Sequence, residues 1–365
     1  MGFTLYNPVQ IHFEAGSLVR KVAELVGERP CVLIHYRKFQ HSDKAAELRD
    51  ALDDRLLFVG PEVKPNPDIA DFRQQYSSFW EKIGDHRPVI VAVGGGSVID
   101  TAKVLRHAWN DARGDFSRVM DVLEQRRPPE ANLELPLIAV PTTAGTGSDV
   151  SPYATVWDKE GGRKFSFFGR KNWATHAVID PELTYGLPKD TTIATGLDAL
   201  SHSLESIWNR NAQPTTELLS VAAARIILDV LPRLVENLSD RELRAQMSLA
   251  SMWARLAISQ TETALAHSIS YKFTLTQGLP HGIACSFSLP VVMRIALGRD
   301  PECDAVLKRV FGDELQSAPE RLDAFLRGLG VATDFGSYGI SKEEGRRMIE
   351  NAMSGERGKN FIGQI

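Results

Sequence analysis

The 365-residue sequence predicts an α/β plus all-α protein, a Rossmann-like parallel sheet followed by a helical domain. Three observations carry that prediction. Short apolar runs alternate with helical patterns through the first half, a glycine-rich turn leaves one of those runs, and the strand signal disappears after LPKD at 187–190. A chain of this length exceeds the size at which one core grows comfortably, so two domains are expected, 1–187 and 188–365.

The strands come in order. PCVLIHY at 30–36, LLFVG at 56–60, PVIVAVGGGS at 88–97 and LPLIAVPTT at 135–143 are too uniformly apolar for a sheet with one wet face, which implies parallel strands covered on both sides. Between 152 and 180, YATVWD, RKFSFF and HAVID read as further strands, the first two joined as a hairpin by Gly161-Gly162. The segments TTIATGLDALSHSLESIWNR, TELLSVAAARIILDVLPRLVENL and ELRAQMSLASMWARLAISQTETALAHSISYKF then repeat apolar residues at helical spacing.

Composition removes several functional classes. A hydrophobic fraction of 43% with 24% charged residues is that of an ordinary folded enzyme. A net charge of −4, from 42 basic and 46 acidic residues, gives no global field toward nucleic acid or an anionic membrane. Cys31, Cys285 and Cys303 are widely spaced and form no CxxC pair, which argues for a reducing compartment over a disulfide framework. MGFTLYNPVQIHFEAG lacks the basic-then-apolar pattern of a leader, and no run approaches the roughly 18–20 apolar residues of a spanning helix. The expected setting is the cytoplasm, without membrane or nucleic-acid partners.

Two loops and one helical pair carry the chemistry. Gly94-Gly95-Gly96-Ser97 follows VIVAV and opens a helical pattern, so its backbone can approach a pyrophosphate while the helix start offers N–H groups. It is not the GxGxxG fingerprint, and alone it is equally a tight turn. Thr142-Thr143-Ala144-Gly145-Thr146-Gly147-Ser148 leaves the next strand and presents hydroxyls, either to a ligand or to a helix start. Asp198 and His202 stand four apart and share one helix face. Such a pair is a surface hydrogen bond or half of a metal site, and with two more imidazoles it would suit Zn²⁺ or Fe²⁺. Spacing does not choose those two among nine histidines.

GGGSVIDTAK, PTTAGTGSDVS, DPELT, GLDALSHSLE, AHS and PHG, in that order between about residues 5 and 295, resemble the iron-dependent (group III) alcohol dehydrogenase family. The resemblance implies its dehydroquinate synthase-like fold and an NAD(P)-dependent alcohol dehydrogenase or aldehyde reductase. It implies cofactor diphosphate at Gly95, Gly96 and Ser97, nicotinamide-side contacts from Thr142, Thr143 and Ser148, and a ribose contact from Lys164. It assigns Asp198, His202, His267 and His281 as ligands of Fe²⁺, with Zn²⁺ as the alternative.

The departures from the family pattern are informative. Many members carry a second histidine four residues after the third ligand, where this chain has Tyr271, which is then expected to donate the proton or bind substrate. After the second strand, where NAD-preferring members often place an acid, stand Arg37 and Lys38, so NADPH is expected over NADH. The arrangement looks most like the branch that reduces phosphonoacetaldehyde to 2-hydroxyethylphosphonate in phosphonate natural-product biosynthesis. Arg170, Lys171, Arg255 and Lys272 are then the bases expected to pair with an anionic substrate. Alternatives are a reductase of a small neutral aldehyde of the lactaldehyde or butyraldehyde type, and a lyase resembling dehydroquinate synthase. The protein partner consistent with this reading is a second copy, as a homodimer.

Overall fold

The computed structural model describes residues 2–363, which divide into two compact units. One comprises Asn7–Thr143 and Ser148–Thr184, and the other runs from Tyr185 onward with Ala144–Gly147 and the N-terminal residues up to Tyr6.

The first unit is built on β1 (Gln10–Phe13), α1 (Leu18–Val26), β2 (Cys31–His35), α2 (Asp43–Leu52), β3 (Leu56–Val59), α3 (Ile69–Ile83), β4 (Val89–Gly94) and α4 (Gly96–Leu105). It continues with β5 (His107–Ala108), α5 (Phe116–Gln125), β6 (Leu133–Glu134), β7 (Leu137–Pro141), β8 (Ala154–Asp158), β9 (Arg163–Phe167) and β10 (His176–Ile179). Six strands form one sheet in the order β1-β10-β7-β4-β2-β3, every neighbouring pair parallel. Its central strands β2, β4 and β7 are covered on both faces, as the apolar runs require. Val32, Ile34, Ile90, Ala92, Leu137 and Ala139 enter one core with Phe72 and Tyr76. Their neighbours Leu33, Val89, Val91, Val93, Ile138 and Val140 enter the other with Leu18 and Leu48. This alternation is the period-two geometry of a strand. Ser42, Asp68 and Asp115 start α2, α3 and α5 by accepting from the N–H groups of Ala45, Ala70 and Ser117.

The hairpin expected around Gly161-Gly162 is β8–β9, antiparallel, with Trp157 opposite Lys164. Two pairings had no clear signal in the sequence. QIHF, only partly buried, is β1 at the sheet edge against β10, and β5–β6 is a two-residue ribbon. Both depend on partners far along the chain, not on a local apolar run.

The second unit is helical: α6 (Lys189–Ile207), α7 (Pro214–Glu236), α8 (Arg241–Thr261), α9 (Leu265–Gln277), α10 (His281–Ser286), α11 (Leu289–Ala296), α12 (Pro301–Phe311), α13 (Ala318–Gly328) and α14 (Lys342–Ser354). Leu197, Leu200, Leu204, Ala223, Ile227, Leu231, Ala250 and Ala254 form its centre. Because α6 packs against α7, α8 and α10, it is buried on all sides from Gly196 to Ile207. Polar residues on it are therefore held inside the protein. Residues 144–147 join this unit through glycines: a Cβ on Gly145 would lie 2.4 Å from the Thr195 carbonyl oxygen, and one on Gly147, at φ +51°, 2.2 Å from the Arg255 Cβ. Among the described residues no helix is long and apolar enough to cross a membrane.

Candidate metal centre and cofactor loops

Six of the eight expected cofactor residues lie at the carboxyl ends of three adjacent strands, whereas Ser148 begins a short helical turn further on and Lys164 lies within β9. Gly95, Gly96 and Ser97 follow β4 and begin α4, Thr142 and Thr143 follow β7, and Arg37 follows β2. Loops beyond the carboxyl ends of a parallel sheet are where such folds bind ligands. Gly95 packs on Thr143, since a Cβ there would meet the threonine Oγ1 at 3.3 Å, and that Oγ1 is buried with no hydrogen-bond partner. The Ser97 hydroxyl accepts from the Asn66 N–H at 3.1 Å. Arg37 and Lys38 are exposed in the turn after β2. Lys164 lies with its ammonium 5.4 Å above the Trp157 ring.

The second loop is held by residues that sequence reasoning passed over. Lys103, fully buried, donates to the carbonyls of Ser148 at 2.5 Å, Ser151 at 2.6 Å and Tyr153 at 2.9 Å. Asp100 accepts from the Ser148 hydroxyl at 2.5 Å and from the Thr155 N–H at 2.9 Å. Both belong to the run SVIDTAK, one and two turns into α4. The signal was there: a lysine at a position that helical periodicity sends inward requires acceptors.

The candidate metal centre rests on α6. Asp198 and His202 are one turn apart, and α9 and α10 bring His267 and His281 to them. Asp198 Oδ1 lies 3.7 Å from His202 Nε2, 3.6 Å from His267 Nε2 and 3.9 Å from His281 Nε2. The His202 and His267 rings are stacked with centroids 4.9 Å apart. The approach of α10 is permitted by Gly282, where a Cβ would lie 1.8 Å from the Ala194 carbonyl oxygen. His281 is the open member, with 31% of its side chain exposed, whereas Asp198, His202 and His267 are buried. Asp198 Oδ1 and His267 Nε2 have no hydrogen-bond partner. Buried lone pairs left this way are costly, and a carboxylate with imidazoles fits a Zn²⁺ or Fe²⁺ ion.

Glu205, three residues beyond His202, was the other omission. It is fully buried and accepts from His267 Nδ1 at 2.6 Å and from the backbone N–H groups of Ala264, Ala266 and His267 at 3.0, 2.5 and 3.2 Å. One carboxylate thus caps α9, whose own N-cap residue, Ala264, has no side chain to do so, and turns His267 so that Nε2 faces Asp198. With Asp198, His202 and Glu205 at i, i+4 and i+7, the shared face was visible in GLDALSHSLES.

Burial sets the electrostatics. It opposes the charge on Asp198, yet His202, His267 and His281 hold that carboxyl well below the usual range. Glu205 is likewise penalised by burial and held down by His267 and its N–H donors. Burial keeps His202 neutral, its pKa well below the ordinary value. Burial also works against a Cys285 thiolate, but His267 and His281 bring that thiol down to about 6.

The remaining predicted residues are placed as follows. Arg255, half-buried on α8, sits with Nη1 3.1 Å from His202 Nε2. Tyr271 is one turn beyond His267 on α9, with the Arg357 guanidinium 5.6 Å above its ring. Lys272 is exposed and paired with Glu344 at 2.5 Å. Arg170 and Lys171 are exposed in the sheet unit, where the Lys171 ammonium donates to the Ala131 carbonyl at 3.0 Å. Of the four bases, Arg255 alone is shown beside a predicted metal ligand.

Comparison with known proteins covers most of the chain. Residues 8–181 match the family described as iron-containing alcohol dehydrogenase, and residues 192–362 match the Fe-containing alcohol dehydrogenase family, C-terminal. The NAD-dependent methanol dehydrogenase of Bacillus methanolicus is 31% identical over 84% of this chain and 80% of its own. The sulfoacetaldehyde reductase of Bilophila wadsworthia is 28% identical over 74% of this chain and 71% of its own. Among solved structures, the sulfoacetaldehyde reductase of Bifidobacterium kashiwanohense in complex with NAD+ is similar with a TM-score of 0.87 and 27% identity, covering 100% of this chain and 96% of that one.

Proposed function

The chain belongs to the iron-containing alcohol dehydrogenase family, and we propose that it reduces a small aldehyde carrying an anionic group, phosphonoacetaldehyde to 2-hydroxyethylphosphonate, with NADPH. Family membership makes it an oxidoreductase and sets aside the lyase reading. Asp198, His202, His267 and His281 hold the divalent ion, Fe²⁺ or Zn²⁺, in this proposal. When bound, the ion supplies Lewis acidity toward a carbonyl oxygen and the nicotinamide supplies the hydride.

The chain's own residues do the rest. Glu205 orients His267 so that its Nε2 faces Asp198, and burial keeps His202 neutral. Tyr271, one helical turn from His267, is the proposed proton donor to the alkoxide oxygen. Gly95, Gly96 and Ser97 receive the diphosphate at the start of α4, and Thr142, Thr143, Ser148 and Lys164 position the nucleoside and ring.

The observation that carries the substrate assignment is Arg255, a half-buried guanidinium 3.1 Å from His202 Nε2. A cation held against metal ligands is unfavourable for a neutral substrate and useful for a phosphonate, whose charge must be paired when desolvated. A relative named for sulfoacetaldehyde supports an aldehyde with an anionic substituent. For the cofactor, Arg37 and Lys38 with no acid between His35 and Phe39 favour a 2′-phosphate, by roughly ten- to a hundredfold. Three unpaired buried cysteines support the cytoplasm as its compartment.

The second reading is a neutral short-chain substrate, favoured by the similarity to a methanol dehydrogenase. Steady-state rates with phosphonoacetaldehyde and propionaldehyde, each with NADPH and NADH, separate the two. The proposal expects the highest kcat/KM for phosphonoacetaldehyde with NADPH, and a raised KM for that aldehyde alone in Arg255→Met. Preference for propionaldehyde would overturn the anion assignment, and equal or better use of NADH the cofactor assignment.

A further inference from the structure

Cys285 lies one turn beyond His281 on α10, fully buried, and belongs to the metal centre by position. Its Sγ is 3.5 Å from His281 Nε2, and with one donor atom each from Asp198, His267 and His281 it forms a group in which all four atoms lie within 4.8 Å of one another. Asp198 Oδ1 and His267 Nε2, 3.6 Å apart, are buried atoms without hydrogen-bond partners. His202 stands differently, because its Nε2 is met by the Arg255 guanidinium at 3.1 Å. The sulfur therefore belongs to the tight donor group at least as fully as the fourth residue of the expected ligand set. The other two cysteines are buried elsewhere, Cys31 on β2 and Cys303 on α12.

We propose that Cys285 is a further ligand of the ion, its thiolate joining Asp198, His267 and His281, and that it gives this centre a soft donor favouring Zn²⁺ over Fe²⁺. This rests on the reading that the centre holds a divalent ion. Thiolate selects zinc over harder ions more strongly than an all-nitrogen and oxygen set does, because the ion–sulfur bond is the more covalent. A serine there presents an oxygen of similar direction but no charge, and an alanine presents nothing.

Cobalt reads this directly, since thiolate bound to Co²⁺ absorbs in the near ultraviolet while the visible d–d bands report only that the ion is bound. Metal-free protein would be loaded with Co²⁺ as the parent, Cys285→Ser and Cys285→Ala. The inference expects the sulfur charge-transfer band in the parent and its loss in both variants, with d–d absorption kept in all three. Zinc affinity by chelator competition should fall in Cys285→Ala by about tenfold or more. A parent with d–d bands but no charge-transfer band, or a band that survives in Cys285→Ala, would overturn the thiolate ligand and leave the metal centre standing. A parent without d–d absorption would overturn both.

Discussion

Replacing Glu205 by glutamine changes one atom type at the point where a helix start and the proposed metal ligand His267 depend on the same carboxylate. Its Oε2 accepts from Ala264 N–H and His267 Nδ1, and its Oε1 from Ala266 N–H and His267 N–H. An amide can satisfy only one of these pairs, and whichever way it lies its NH₂ faces two donors. With a lost buried hydrogen bond costing about 1–3 kcal/mol, the two together cost about 2–6 kcal/mol of stability. The charge lost as well lowers the basicity of His267 toward the ion. Loss of such a supporting partner reduces metal affinity about 10- to 100-fold. Urea unfolding of the metal-free protein gives the first quantity and chelator competition the second. If Glu205→Gln matched the parent in both, the carboxylate would be neither cap nor orienting group, and the reasoning would fail.

Two other perturbations follow from buried polar groups. His107 is fully buried beside Arg106 and Asn172, and burial takes its pKa from 6.5 down to about 3. The unfolded chain therefore binds the extra proton first as pH falls below 6.5. His107 favours folding above that value, and its contribution is lost progressively down to about pH 3. Between pH 7 and 5 the parent should lose about 2 kcal/mol more than His107→Gln in urea unfolding, and identical losses would refute this. In Lys103→Met the carbonyls of Ser148, Ser151 and Tyr153 lose their common donor, so stability should fall by about 3–5 kcal/mol and KM for the nicotinamide should rise. A stable variant with unchanged cofactor KM would show that the loop holds itself.

The sequence shows most where a residue's role depends on its neighbours. The buried strands β2, β4 and β7 were legible because both faces are covered and nearly every residue is apolar, and the β8–β9 hairpin because its turn is Gly161-Gly162. Asp198 and His202 were legible as a pair because a helix fixes their spacing, while His267 and His281 needed the resemblance, since α9 and α10 meet α6 only in the tertiary fold. Glu205 was missed because a glutamate in a helix reads as solvated, and only the burial of α6 on all sides makes it a partner of His267, 62 residues away. Cys285 was set aside with the other cysteines for want of a CxxC pair, although it stands one turn from a candidate ligand. Lys272 has the opposite history, its charge paired with Glu344, 72 residues on, a contact that no local pattern announces.

In the proposed centre, Asp198, His202, His267 and His281 hold one divalent ion per chain. Elemental analysis after exhaustive loading and desalting tests it most directly, on the parent and on His267→Ala, with circular dichroism to show that both are folded. The account predicts one equivalent of metal and aldehyde reduction in the parent, and a folded His267→Ala protein that has lost most of both. A His267→Ala protein as metal-replete and as active as the parent would contradict it.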